Sequence, residues 1–180
     1  MSDARFAEVY KAYHWHVYAY CLRRTSREMV DDAVADTFLT AWRKVDDLPA
    51  GADVLPWLYS VAYRVLGRQW RSVSRRKKLA EKLAGAGMEY VIPPEMFVVS
   101  DHENQQVARA VSRLKIGDRE ILRLAVWEDL DRPQIAMALG ISTDAVRQRL
   151  HEARKRLASE YERLERNRIP SPAAERGGTW

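Results

Sequence analysis

Apolar positions recur at intervals of three and four along most of the chain, the period of helices that bury one face. Phe6, Val9, Tyr10, Tyr13, Val17 and Tyr20 predict a first helix over about 3–24. Thr25 and Glu28 have the spacing of a capping box and open a second helix with the stripe Val30, Val34, Phe38, Ala41 and Val45, Trp42 lying at its margin. Its other side carries Asp32, Asp36, Leu39 and Arg43. A leucine among carboxylates on a solvent face points to a protein contact. Residues 46–53, DDLPAGAD, read as a loop, after which Leu55, Leu58, Ala62, Val65 and Leu66 resume the period in a third helix. Opposite that stripe, Trp57, Arg64, Arg68, Arg71 and Arg75 align one aromatic ring with four guanidinium groups, a face suited to a nucleic-acid backbone and a stacked base.

The pattern breaks over residues 79–106, where Gly85, Gly87, Pro93 and Pro94 mark a tether, with apolar patches at 90–92 and 96–99 that can dock on a partner or a domain. Val107, Ala110, Val111 and Leu114 open a second helical region, followed by Ile121, Leu122, Ala125 and Leu130. PQIAMALGISTDAVRQRLHEARKRL, residues 133–157, then has the form of a helix-turn-helix. Ile135, Ala136 and Leu139 are the apolar positions of its first helix, and Gly140 supplies the permissive turn residue. Ile141 plugs the turn, and Ser142 or Thr143 can cap the next helix. Val146, Leu150, Ala153 and Leu157 form the buried stripe of that helix. Asp144, Arg147, Gln148, His151 and Lys155 lie on its outer side, with groups able to reach base edges and phosphates. An ordinary helical hairpin with a solvated charged face is the competing interpretation of this segment.

The expected fold is all-α: two small helical domains joined by a flexible linker, the second a four-helix domain with a helix-turn-helix. The expected divisions are 1–80, a linker at 81–105, a second domain at 106–168 and a disordered tail at 169–180. A length of 180 residues accommodates two small cores. The net charge of +5 favours a polyanionic partner less by its size than by its distribution. Seven basic and no acidic residues fall between Arg64 and Lys78, whereas Asp31, Asp32, Asp36, Asp46, Asp47 and Asp53 lie upstream.

Enzyme chemistry finds little support. His14 and His16 are two apart on a helix, so they point about 200° from one another and cannot chelate one metal from the same face. No zinc pattern, glycine-rich phosphate loop or GxSxG elbow occurs, and no cofactor, catalytic residue or small-molecule substrate is expected. Cys21 is the only cysteine, so an intrachain disulfide is impossible and a small buried role is expected. With no signal-like segment and no run of eighteen apolar residues, a cytoplasmic protein without membrane insertion is expected.

Three stretches together resemble the bacterial RNA polymerase sigma factors of the extracytoplasmic-function (ECF) group. VDDAVADTFLTAW at 30–42 is similar to that family's clamp-binding helix, LPWLYSVAYRVL at 55–66 to the helix that opens the minus-ten element, and RPQIAMALGISTDAVRQRLHEARKRL at 132–157 to the reader of the minus-thirty-five element. The resemblance implies a promoter-specificity subunit that binds the clamp and flap of core RNA polymerase together with promoter DNA, with an anti-sigma factor as a further partner. It assigns core binding to Asp32, Asp36, Leu39 and Arg43. Minus-ten binding falls to Asp53, Trp57, Arg64, Arg68, Arg71 and Arg75, with the 46–53 loop capturing a flipped base. Minus-thirty-five binding falls to Thr143, Asp144, Arg147, Gln148, His151 and Lys155. The chain departs from the family's pattern at Ala35, where many relatives have Gln, at Arg64, where some have Asn, and at Glu152, where an Arg is common. Leu114-Lys115 also replaces a usual Leu-Pro. The alternatives are a stand-alone helix-turn-helix regulator that binds duplex DNA as a dimer, and an interaction module that titrates polymerase without starting transcription.

Overall fold

The computed structural model describes the backbone of residues 2–84 and 102–168 and the side chains of 3–75 and 105–166. Most of the tether, with both its apolar patches, and the 169–180 tail lie outside the described residues. Among those described there are seven α-helices, two single-turn 3₁₀ helices and no strand.

The first domain is built from α1 (Ser2–Leu22), α2 (Arg27–Arg43) and α3 (Val54–Ala84), each packed on the other two. The expected stripe is buried, Val30, Val34, Phe38 and Ala41 on α2 and Val45 in the 3₁₀ turn after it, as are Leu58, Ala62, Val65 and Leu66 of α3. Phe6 and Tyr10 of α1 set their rings against Phe38, the latter edge-on at 4.8 Å between centroids. The capping box expected at Thr25 and Glu28 does not form. Ser26 is the N-cap of α2, with no side-chain cap bond, which puts Glu28 at the second helical position and leaves Met29 at the third. Thr25 instead belongs to the end of α1, its backbone N–H bonding to the Cys21 carbonyl at 3.1 Å. The 46–53 connection is not irregular throughout: it contains the 3₁₀ turns Val45–Asp47 and Gly51–Asp53. The guanidinium of Arg5 holds it to α1 by donating to the carbonyls of Leu48 at 2.6 Å and Pro49 at 3.3 Å.

The second domain comprises α4 (His102–Arg113), α5 (Ile116–Val126), α6 (Arg132–Leu139) and α7 (Thr143–Arg168). Val107, expected in its core, is 42% exposed, and the neighbouring Ala108 is buried instead. Helix α6 is closed at both ends by specific chemistry. Asp131 and Gln134 form a reciprocal capping box, the Gln134 N–H donating to Asp131 Oδ1 at 2.8 Å and the Asp131 N–H to Gln134 Oε1 at 3.0 Å. At the other end Gly140 takes φ 65° and ψ 39°, and the N–H groups of Gly140 and Ile141 reach back to the carbonyls of Met137 and Ala136. That pair of bonds is a Schellman closure, which needs a left-handed residue at this position. The Ser142 hydroxyl then accepts from the Ala145 N–H at 3.2 Å and caps α7. Val146, Leu150 and Ala153 of α7 are buried, and Leu157 packs against the same core.

Helix α6 also lies along α3, so the buried side chains of the two domains form one continuous cluster. Beside this apolar contact is a buried ionic one. Arg24, 1% exposed at the end of α1, meets the carboxylates of Glu120 in α5 and Glu128 in the turn after it.

An added Cβ at Gly140 would meet nothing within 4 Å, so the cost of Gly140→Ala is conformational rather than steric. The substitution is expected to lower unfolding stability by about 1–2 kcal/mol, measured by urea denaturation. An unchanged midpoint would show that the turn does not need the left-handed conformation.

Candidate functional site

Three exposed faces and one buried cluster carry the polar chemistry of the described residues. On α3, Arg64, Arg68, Arg71 and Arg75 are all exposed and Trp57 is half-buried at the start of their row. Arg64 donates to the Ser60 carbonyl at 3.0 Å and to its hydroxyl at 3.1 Å, which turns the guanidinium back along the helix. Among the described residues no carboxylate pairs with any of these four arginines, so their charge is available to an external anion. Trp57, Arg64 and Arg68 line one groove of about 260 Å³ together with Thr40, Lys44, Val61 and Val65. Thr40 and Lys44 were not anticipated from the sequence. They come from the end of α2, and only the packing of α2 on α3 brings them to the tryptophan. Asp53 is exposed in the 3₁₀ turn immediately before α3, outside the lining of that groove.

The outer side of α2 presents Asp32, Asp36 and Arg43, all exposed, around a Leu39 that is 43% exposed. Trp42, 51% exposed, extends this apolar spot at the end of the helix. Ala35 is exposed on the same helix. The leucine that seemed out of place in the sequence is therefore a surface residue rather than a misassigned core position.

On α7, Asp144, Arg147, Gln148 and His151 line a shallow groove with Ser142 and Ala145. Thr143, the first residue of the helix, and Lys155, further along it, are exposed and outside that lining. Arg147 lies 3.6 Å from Asp144, with side chains 70% and 92% exposed. An ion pair so open to water is weak and can be exchanged for a stronger acceptor. Glu152 lines a different groove, with Lys115, Asp118, Arg149 and Arg156, and lies 3.7 Å from the Arg156 guanidinium. Arg156 in turn reaches the Asp118 carboxylate at 2.8 Å, so the departure at Glu152 joins a bridge between α7 and α5.

The buried cluster was not anticipated. Glu120 accepts the Tyr20 hydroxyl at 2.9 Å and the Arg24 Nε–H at 2.9 and 3.1 Å. Arg24 also donates to Glu128 at 2.9 Å and to the Tyr20 carbonyl at 3.0 Å, and Arg23 reaches Glu128 at 2.5 Å. The Arg24 guanidinium carbon sits 3.5 Å over the Tyr20 ring, which stacks on Tyr59 at 4.5 Å. Burial works against the charge of Arg24, but the carboxylates, Glu120 foremost, outweigh it and hold the guanidinium more firmly charged than usual. Burial raises the Tyr20 hydroxyl well above the ordinary phenol range, and the neighbouring Glu120 raises it further. No local pattern could have found this cluster, because Arg24 and Glu120 are 96 positions apart.

His14 packs its ring on Phe38 at 5.9 Å, and among the described residues no group of His, Cys, Asp or Glu could hold a metal ion. Cys21 is buried, which pushes its thiol up to about 12. Among the described residues no helix is long and apolar enough to cross a membrane.

Residues 9–76 match the family model for Sigma-70 region 2, and residues 104–157 match that for Sigma-70 region 4. The chain is 32% identical over 133 residues to the RNA polymerase sigma factor NccH of Alcaligenes xylosoxydans xylosoxydans, covering 72% of each sequence. Its fold is similar to that of the sigma factor RpoE solved with the anti-sigma factor NepR from Bartonella quintana, with a TM-score of 0.61 and 22% identity over 87% of this chain and 96% of that one. It is similar also to CnrH solved with the cytosolic domain of CnrY, with a TM-score of 0.57 and 24% identity over 88% of each. The region 2 match excludes a stand-alone helix-turn-helix regulator, which would leave the whole first domain without a role. The chain belongs to the RNA polymerase sigma factors of the sigma-70 superfamily, in the extracytoplasmic-function group.

Proposed function

We propose a division of labour among the three exposed faces of this promoter-specificity subunit, with residues 1–80 gripping polymerase and the minus-ten element and residues 106–168 the minus-thirty-five element. The observation that carries it is the α3 row, four arginines without a carboxylate partner among the described residues, leading from a groove that contains Trp57. Trp57 offers a stacking surface to an unpaired base, and Arg64, Arg68, Arg71 and Arg75 track the phosphates of the opened strand. Asp53 at the head of α3 borders the base, and Lys44 adds a cation at the groove. Unstacking a base costs a few kcal/mol, which stacking on the indole and the phosphate contacts offset.

On α2, Leu39 is the apolar anchor for the polymerase clamp, with Asp32, Asp36 and Arg43 making the polar rim around it. On α7, Arg147 and Gln148 enter the major groove near the N-terminal end of the recognition helix. Thr143, Asp144, His151 and Lys155 then contact base edges or phosphates. The 81–105 segment joins the grips and sets how far apart they can bind. The chain itself carries out no catalysis and needs no cofactor. It works in the cytoplasm with core polymerase, engaging both clamp and flap, and an anti-sigma factor is a further partner.

Run-off transcription from a promoter library, with the purified chain added to core polymerase, tests the whole assignment. Transcripts that depend on the chain are expected, whereas duplex binding without any transcript would refute it. Arg147→Ala is expected to weaken minus-thirty-five binding by about 1–3 kcal/mol if the guanidinium pairs with a guanine, and an unchanged promoter preference would reject that role. Leu39→Asp should weaken core-polymerase binding more than tenfold while leaving the helical circular-dichroism signal intact, since a buried leucine side chain is worth about 1.5–3 kcal/mol. Replacing Arg68 and Arg71 with Ala should reduce the salt dependence of single-strand binding, by about 0.7 in log–log slope for each phosphate no longer neutralised.

A further inference from the structure

Asp144, Arg147, Gln148 and His151 follow one another on α7 at steps of three, one and three residues, so their side chains fall within about 100° of one another around the helix. All four are exposed, and together with Ser142 and Ala145 they line one groove. Asp144 is the only acid of the four, and it stands at the N-terminal end of the helix. We infer that Asp144 determines base specificity in the minus-thirty-five element: its carboxylate accepts from the N4 amino group of a cytosine beside the guanine taken by Arg147, and it disfavours thymine or guanine at that place. This rests on the assignment of α7 as the minus-thirty-five reader and of Arg147 to a guanine.

Capping does not account for this carboxylate. The Ser142 hydroxyl already accepts the Ala145 N–H at 3.2 Å, whereas the Asp144 side chain, 92% exposed, lies 3.6 Å from the Arg147 guanidinium. An acid in the first turn does gain from the helix dipole, but solvent screens that gain at so open a position. On DNA the same carboxylate approaches a polymer with one negative charge for about every 1.7 Å of its axis, and it cancels much of the attraction due to Arg147. It therefore weakens binding to any sequence that does not offer it a donor.

Hydrogen-bonding capacity singles out the base. Gln148 and neutral His151 each carry a donor and an acceptor, so neither has a fixed sign. Arg147 only donates, and ionised Asp144 only accepts. In the major groove guanine presents the acceptors N7 and O6, which suit the guanidinium fork. Cytosine presents the N4 donor, which suits a carboxylate. Thymine O4 and guanine O6 set an oxygen against the Asp144 oxygens, and adenine places its N7 acceptor beside its N6 donor. Cytosine is thus the match with no opposing acceptor at the edge of the groove.

The geometry allows both contacts at once. The separation of 3.6 Å between the two head groups is close to the rise of about 3.4 Å between base pairs, so the two residues reach the same pair or adjacent pairs. Guanine takes two of the five N–H donors of Arg147 and leaves others for Asp144. One carboxylate oxygen then steadies the fork while the second meets the cytosine amino group. The loose ion pair of the free chain becomes a two-part reader in which each half has one sign.

The test uses holoenzyme assembled from core polymerase and the full chain, transcribing a promoter library randomised across the minus-thirty-five element, with the transcripts sequenced. Arg147→Ala locates the guanine by the loss of preference there. Wild type should favour cytosine over thymine and guanine about tenfold, on that pair or the next. Asp144→Asn, nearly isosteric but able to donate as well as accept, should reduce this to about twofold or less and keep a guanine preference. Asp144→Ala should do the same, and both variants should transcribe from mismatched promoters at least as well as wild type, because the repulsion from phosphate is gone. A merely structural role would lower transcription from every promoter alike and leave the cytosine preference in place. That result, a cytosine preference unchanged in both variants, or a wild type with none beside the guanine, overturns the role of Asp144 alone. A wild type without base preference anywhere in the element overturns the α7 assignment as well.

Discussion

Arg24 cannot be buried alone. A guanidinium without water is tolerable only where carboxylates surround it, and its own domain supplies none in the described structure; both come from the second domain. The contact between the domains is thus a condition of this arrangement, for with the domains apart Arg24 must be solvated. The apolar contact of α3 with α6 adds area, and the ionic cluster beside it dictates which residues face one another. Tyr20 ties the two together, since its ring lies under Arg24 and against Tyr59 while its hydroxyl donates to Glu120.

The exposed faces show the opposite arrangement of charge. Four arginines of α3 stand without carboxylate partners among the described residues, and the Arg147–Asp144 pair on α7 is so open to water that it holds neither partner firmly. At the contact between the domains the charges are paired and buried, whereas on α3 and α7 they stay exposed. The same composition thus carries two electrostatic roles separated by burial alone. Glu152 marks the boundary: on the recognition helix by sequence, it faces Arg156 and the α5 side rather than the groove that holds Arg147 and His151.

Local chemistry explains why the helix-turn-helix was legible from the residues alone. Its apolar period, the turn glycine and a cap at Ser142 act within a few residues of one another, and each appears in the structure as expected. The α2 stripe was legible for the same reason. The misses also have local causes. Thr25 and Glu28 match a capping box in spacing, but α1 holds Thr25 through the Cys21 carbonyl, so α2 starts one residue later. Val107 has the right residue type for a core, yet the turn of α4 leaves it outward and buries the smaller Ala108.

Period, with the cap and turn residues of the helix-turn-helix, was enough to establish the all-helical class, the buried stripes of α2, α3 and α7, and the positions of the arginine row and of the outer side of α7. The order of residues also carried the family resemblance, which the relatives bear out. Packing alone brought Thr40 and Lys44 to Trp57, turned Glu152 toward Arg156, and placed Arg24 between Glu120 and Glu128. Each of those depends on one helix meeting another. The residues of the ionic cluster are 96 to 105 positions apart, where no helical period or turn rule relates one side chain to another.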